Sequence, residues 1–184
     1  MPRIIDLVAV FAVAVVLLLP SASIVAQPAL VGDPLELDRL SELEDARFRH
    51  PDDAGAALEL ADAFLSFYRS DWAISTLAAF ADRPDYRVHM TLATAHAERL
   101  EAAEVVREGT LVEQDCELAE AGKAAPKCPS GTLAKIDLIK RSMQVLVEQH
   151  IDPAKDPQHA RDEVAKVLHS ARYRGPMVNL PPKK

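Results

Sequence analysis

Apolar residues recur at every third or fourth position along most of the chain, the period of a helix with one buried face. Leu37, Leu40, Leu43 and Ala46 form the first stripe. Asp33 as a cap and Pro34 at the first helical position start that helix. Pro51 disfavours helical geometry in the residue before it, which predicts an end near His50. Pro51-Asp52-Asp53 opens a second helix with the face Ala57, Leu58, Ala61, Phe64, Leu65 and Tyr68. After a turn at Arg69-Ser70-Asp71, Trp72, Ala73, Thr76, Leu77 and Phe80 form the stripe of its partner. Small Ala61 and Ala73 sit where two antiparallel helices could approach closely. Trp72 is read as a large residue closing this hairpin core rather than as a ligand anchor.

Pro84-Asp85 starts the next helix, with Met90, Leu92, Ala93, Ala97 and Leu100 on its apolar face. Ala102, Ala103, Val105 and Val106 extend the pattern until Gly109, which is expected to interrupt it, and residues 111–121 resume as a short helix. Residues 122–131 hold two prolines and two glycines and read as a loop. Residues 132–149 make the clearest helix, with Leu133, Ile136, Ile139, Met143, Leu146 and Val147 on one face and Asp137 and Arg141 placed to pair on another. Asp156-Pro157 repeats the Asp-Pro start, and Ala160, Val164, Val167, Leu168 and Ala171 make the last stripe. The helical domain is thus expected over residues 33–174, between a flexible leader at 27–32 and a flexible tail at 175–184.

The N-terminus follows a different rule. After Arg3 come thirteen uncharged apolar residues at 7–19, then Pro20 and the small residues Ser21, Ala22 and Ser23. This is the layout of a secretory signal peptide, ending at Ala26 or at Ser23. A retained membrane anchor is the alternative, although the run is shorter than the roughly 20 residues a spanning helix wants. Either reading places the rest of the chain outside the cytoplasm. Cys116 and Cys128 are the only cysteines. An even count in an exported chain reads as a disulfide. Composition adds exclusions. Aromatics are 5% of 184 residues, which disfavours a β-sandwich, and the formal charge of -7 disfavours nucleic-acid binding.

Pro51 and Pro84 stand 33 positions apart, and the pieces between them follow a fixed order. A Pro-Asp turn precedes a helix carrying Leu60-Ala61 and Phe64, then a turn, then a helix with Ala73 and Leu77. A second copy keeps Leu92-Ala93 and Ala103, ten residues apart where the first has twelve, and has no aromatic near Ala97. This resembles the tetratricopeptide repeat, a helix–turn–helix unit of about 34 residues. The resemblance covers about 70 residues, counting a degenerate preceding unit at 33–50. It implies an all-α fold in which antiparallel hairpins stack as a short solenoid, with the helices at 132–149 and 157–172 as a C-terminal cap. It also implies a binding groove formed by the first helix of each unit, here Asp62, Leu65, Ser66, Arg87, Thr94 and Glu98. These residues lack the Lys, Arg and Asn cluster with which such domains grip a C-terminal carboxylate.

Catalytic chemistry is not apparent. No Gly-rich phosphate loop, nucleophile elbow or His-Glu-x-x-His occurs. His89 and His96, seven apart, share roughly one helix face. Without a third ligand nearby they are read as exposed or half-buried helical histidines, and no metal site, cofactor or catalytic residue is expected. Two functions remain open. One is a non-catalytic adaptor or scaffold that binds a protein of the cell envelope. The other is a small extracytoplasmic carrier of a ligand or metal, using the Trp72 region and histidines. A membrane is a partner only if residues 1–26 are retained.

Overall fold

The computed structural model describes residues 34–123 and 126–173. The signal-peptide or anchor segment 1–26, the leader 27–32 and the tail 175–184 lie outside the described residues. Among the described residues seven α-helices follow in order: α1 (Pro34–Arg49), α2 (Ala54–Ser66), α3 (Ser70–Leu77, continued by a 3-10 turn at Ala78–Phe80), α4 (Tyr86–Glu98), α5 (Ala102–Glu120), α6 (Thr132–Glu148) and α7 (Pro157–Tyr173). No strand occurs among the described residues. None of these helices is long and apolar enough to cross a membrane.

Short polar side chains set the starts. Asp53 accepts a hydrogen bond from the Gly55 amide at 2.7 Å, Asp85 from Arg87 at 3.0 Å and Asp156 from His159 at 3.0 Å. Each satisfies an amide that the first turn leaves without an intrahelical partner. The ends of α2, α4 and α6 share one device. Tyr68, Leu100 and His150 take φ of 56°, 61° and 54°. The amide after each returns to a carbonyl five residues back: Arg69 to Phe64, Glu101 to His96 and Ile151 to Leu146. This is the Schellman closure, built here on non-glycine residues. It also shows how the tight turn after α4 closes: the helix stops at Glu98 and the next starts at Ala102.

Successive helices pack on one another, and α2, α4 and α6 also touch across the row. The α4–α5 and α5–α6 pairs run antiparallel: His89 early in α4 meets Asp115 while His96 late in α4 meets Glu101, and Val105 clusters with Met143 while Cys116 clusters with Ile136. Ala57, Ala61, Phe64, Ala73, Leu77 and Phe80 are buried at the N-terminal end. Ala93, Val112, Cys116 and Ile136 form a second cluster, and Val105, Met143, Leu146, Ala160 and Val164 a third. Cys116 and Cys128 are joined in a disulfide with their Cα atoms 5.4 Å apart, tying the loop before α6 to the end of α5. Closing a loop of this order is worth roughly 3 kcal/mol. The two Pro-Asp turns also meet, because Arg83 of the second donates to the Asp52 carbonyl of the first at 3.2 Å.

Several sequence expectations are corrected. Gly109 does not interrupt α5. A Cβ there would lie 2.6 Å from Lys140 Cδ and 3.2 Å from Ile136 Cγ1, so the glycine serves the close approach of α6 rather than a break. Tyr68 does not belong to the buried face of α2. It falls on the left-handed turn and is 86% exposed. Leu133 and Val147, placed on the buried face of α6, are exposed. Trp72 is half-buried, edge-on to Phe64 at 5.1 Å, with the Arg69 guanidinium 3.9 Å from its ring centre. The Asp137–Arg141 pair forms at 2.6 Å.

Candidate functional site

The α4–α5 interface carries a seam of ionisable groups where a hydrophobic contact would be expected. On α4 the positions that meet α5 include His89, Ala93 and His96. On α5 they include Val105, Glu108, Val112, Asp115 and Cys116. The apolar members seal the seam, and His89, Glu108, Asp115 and His96 are buried within it. This corrects the reading of the two histidines as exposed or half-buried.

His89 Nδ1 lies 2.7 Å from Glu108 Oε2, and its Nε2 lies 3.3 Å from the Arg83 carbonyl and 3.7 Å from Asp115 Oδ2. Burial alone would lower the His89 pKa. The Glu108 hydrogen bond and the charges of Glu108 and Asp115 outweigh it, and the pKa is raised above 6.5. Burial likewise acts to raise Glu108, but its bonds to His89 and Arg107 prevail and hold it below the usual carboxylate range. Asp115 is raised, by burial first, and its Oδ2 has no hydrogen-bond partner among the described residues. Further along, His96 Nδ1 meets Glu101 Oε2 at 2.6 Å, and Arg107 spans Glu104 at 2.8 Å and Glu108 at 2.7 Å. One donor atom each from His96, Glu104 and Glu108 lies within 4.8 Å of the other two.

Two of the depressions on the described surface bear on the expected groove. The more apolar, ≈ 460 Å³, is walled by Ala97 and Leu100 from the end of α4 and by Val164 and Leu168 of α7, with Glu98 and Arg161 as its charged members. The other, ≈ 330 Å³, lies between α1 and α2. Of the six groove residues expected from the sequence, Asp62 and Ser66 line the α1–α2 depression and Glu98 the α4–α7 one. Glu98 accepts a hydrogen bond from Ser70 Oγ. Arg87 is engaged by Asp85 at 2.6 Å, Thr94 donates to the Met90 carbonyl, and Leu65 is half-buried. Thr91 donates to Asp62 at 3.4 Å. Burial raises the Asp62 pKa, with that bond and the charge of Lys135 opposing.

Sequence reasoning missed the seam, although a signal was present. Charged residues at 108 and 115 fall in register with Val105 and Val112, so α5 places acids on its own core face. His89 and His96 do the same on α4. Comparison with protein-family models, curated proteins and solved structures gave no match to this chain. The class the molecule itself defines is an all-helical protein with an internal disulfide.

Proposed function

We propose that the chain is an exported helical-repeat adaptor of the tetratricopeptide type that holds an apolar segment of another cell-envelope protein in the α4–α7 groove. The observation that carries this reading is the groove itself: an open, mainly apolar concavity beside the exposed ring of Tyr68. Its two charged members, Glu98 and Arg161, suit a partner helix with apolar anchors and charges of both signs on its flanks, the helix-in-groove mode of recognition. Three features support the repeat component. The Pro-Asp turns recur and touch, the Schellman ends recur at 68 and 100, and α4 contacts both α2 and α6 as first helices of stacked units do. The disulfide fits an oxidising compartment.

Photo-crosslinking from two positions tests the reading: 165 in the groove wall and 144 on the exposed side of α6. The groove position should give one reproducible protein adduct in the native compartment, and Leu168→Asp should abolish it. Adducts equal from both positions, or indifferent to Leu168→Asp, would overturn the assignment.

A further inference from the structure

We propose that His96, Glu104 and Glu108 form a binding site for a first-row divalent cation of the zinc class, independent of the groove. One ligand atom from each residue lies within 4.8 Å of the other two. A bound cation at the usual 2.0–2.2 Å would bring the three donors to about 3–3.5 Å from one another, so the site must contract by up to about 1.5 Å. The parts divide that task. His96 and Glu108 are 8% and 1% exposed and held by packed helices, whereas Glu104 is half-buried and held by the exposed Arg107 side chain, so closing requires Arg107 to move.

Glu101 is the second, independent observation. Its carboxylate takes His96 Nδ1 at 2.6 Å and is itself held by Arg99 at 2.8 Å. That bond fixes the tautomer in which Nδ1 carries the hydrogen, so the Nε2 lone pair is available. Nε2 has no hydrogen-bond partner among the described residues. A ligating histidine normally donates its other N–H to a carboxylate in this way. Glu108 is braced similarly, with Oε2 held by His89 at 2.7 Å.

Arg107 answers the question of what balances two adjacent carboxylates without a cation. Its guanidinium bridges Glu104 and Glu108, yet its side chain is 62% exposed. A dication neutralises the pair more fully, and Arg107 then moves into water, freeing Glu108 Oε1. Arg107 is therefore a built-in competitor. One imidazole and two carboxylates, with a coordination position left over, match zinc or its first-row neighbours. Calcium and magnesium prefer oxygen-only shells.

The test is calorimetric titration of Zn2+ into the purified, disulfide-intact protein, with thermal melts of the same samples. We expect one Zn2+ per chain and a raised melting temperature. Glu104→Gln, at a partly exposed position that leaves the fold intact, should weaken binding at least about tenfold, and Glu101→Gln about 10–100-fold. Arg107→Gln should tighten binding, a result that a purely structural ion pair does not produce. Failure of the wild type to bind overturns the proposal. So does Zn2+ binding of equal strength in Glu104→Gln, which would assign the metal to the other histidines, or an unchanged affinity in Arg107→Gln.

Discussion

His89 is where one side chain controls the most. It is packed against two acids of α5, Glu108 and Asp115, beneath the Arg83 carbonyl, and Asp85 of its own helix start contributes charge nearby. Its raised pKa fixes the sign of a pH effect. Below pH 6.5 the folded and unfolded chains both carry the proton, and the stabilisation is complete. As pH rises through the native pKa the folded imidazole also loses its proton, and that contribution disappears. The lowered Glu108 works at the other limb, where its contribution is present above the ordinary glutamate range and lost as pH falls. Asp115, raised, opposes Glu108 on that limb. The urea midpoint should therefore fall as pH climbs from 6.5 through the raised His89 pKa. His89→Asn should flatten that limb and cost roughly 3–5 kcal/mol near neutral pH, the penalty for breaking a buried pair. A limb of unchanged slope in the variant would remove His89 from this role. None of this was legible from the histidine spacing alone. Seven residues apart on one helix is compatible with solvent or with core, and only the acids at 108 and 115, read in phase with Val105 and Val112, separate the two.

At the scale of the element, helix starts were legible, and so were the ends marked by Pro51 and Gly122, but the left-handed closures of α2, α4 and α6 were not. Asp53, Asp85 and Asp156 announce their helices because a short acceptor before a run of helical residues has one obvious use. The ends of α2, α4 and α6 fall on Tyr, Leu and His in left-handed geometry, where glycine is the usual signal. Gly109 carries that signal falsely, because glycine also serves where two helices need to be close. The mismatch yields a prediction. A side chain in the left-handed region costs roughly 1–2 kcal/mol, and glycine returns part of that gain through greater freedom in the unfolded chain. His150 is exposed and follows α6, so His150→Gly relieves the backbone with little packing lost. It should stabilise the protein by about 0.5–1 kcal/mol in urea denaturation, whereas β-branched His150→Val should destabilise it. Equal midpoints for both variants would mean that the turn carries no strain.

Across the whole molecule, stability should be graded along the chain. The principal contacts join each helix to its neighbours in sequence, with α2, α4 and α6 adding the next-nearest links. In such an arrangement an element is held only by what lies beside it, and the terminal ones have neighbours on one side. α1 rests on α2 alone among the principal contacts, and Leu40 is its one residue described as buried. The middle is different. α4 touches α2, α3, α5 and α6, and α5 adds α6 and the disulfide. Local opening should follow that inequality, since regions with few buried apolar contacts open at the lowest free energy. Native-state hydrogen exchange should show the amides of α4 and α5 protected close to the global unfolding free energy. α1 should exchange fastest and α7 at an intermediate rate, because Ala160 and Val164 dock into the cluster around Met143 and Leu146. Reduction of Cys116–Cys128 should selectively raise exchange in the last turns of α5 and the first of α6, leaving α1 to α3 unchanged. Uniform protection from α1 to α7, moving together on reduction, would instead make the molecule a single cooperative unit in which the neighbour-to-neighbour packing has no energetic consequence.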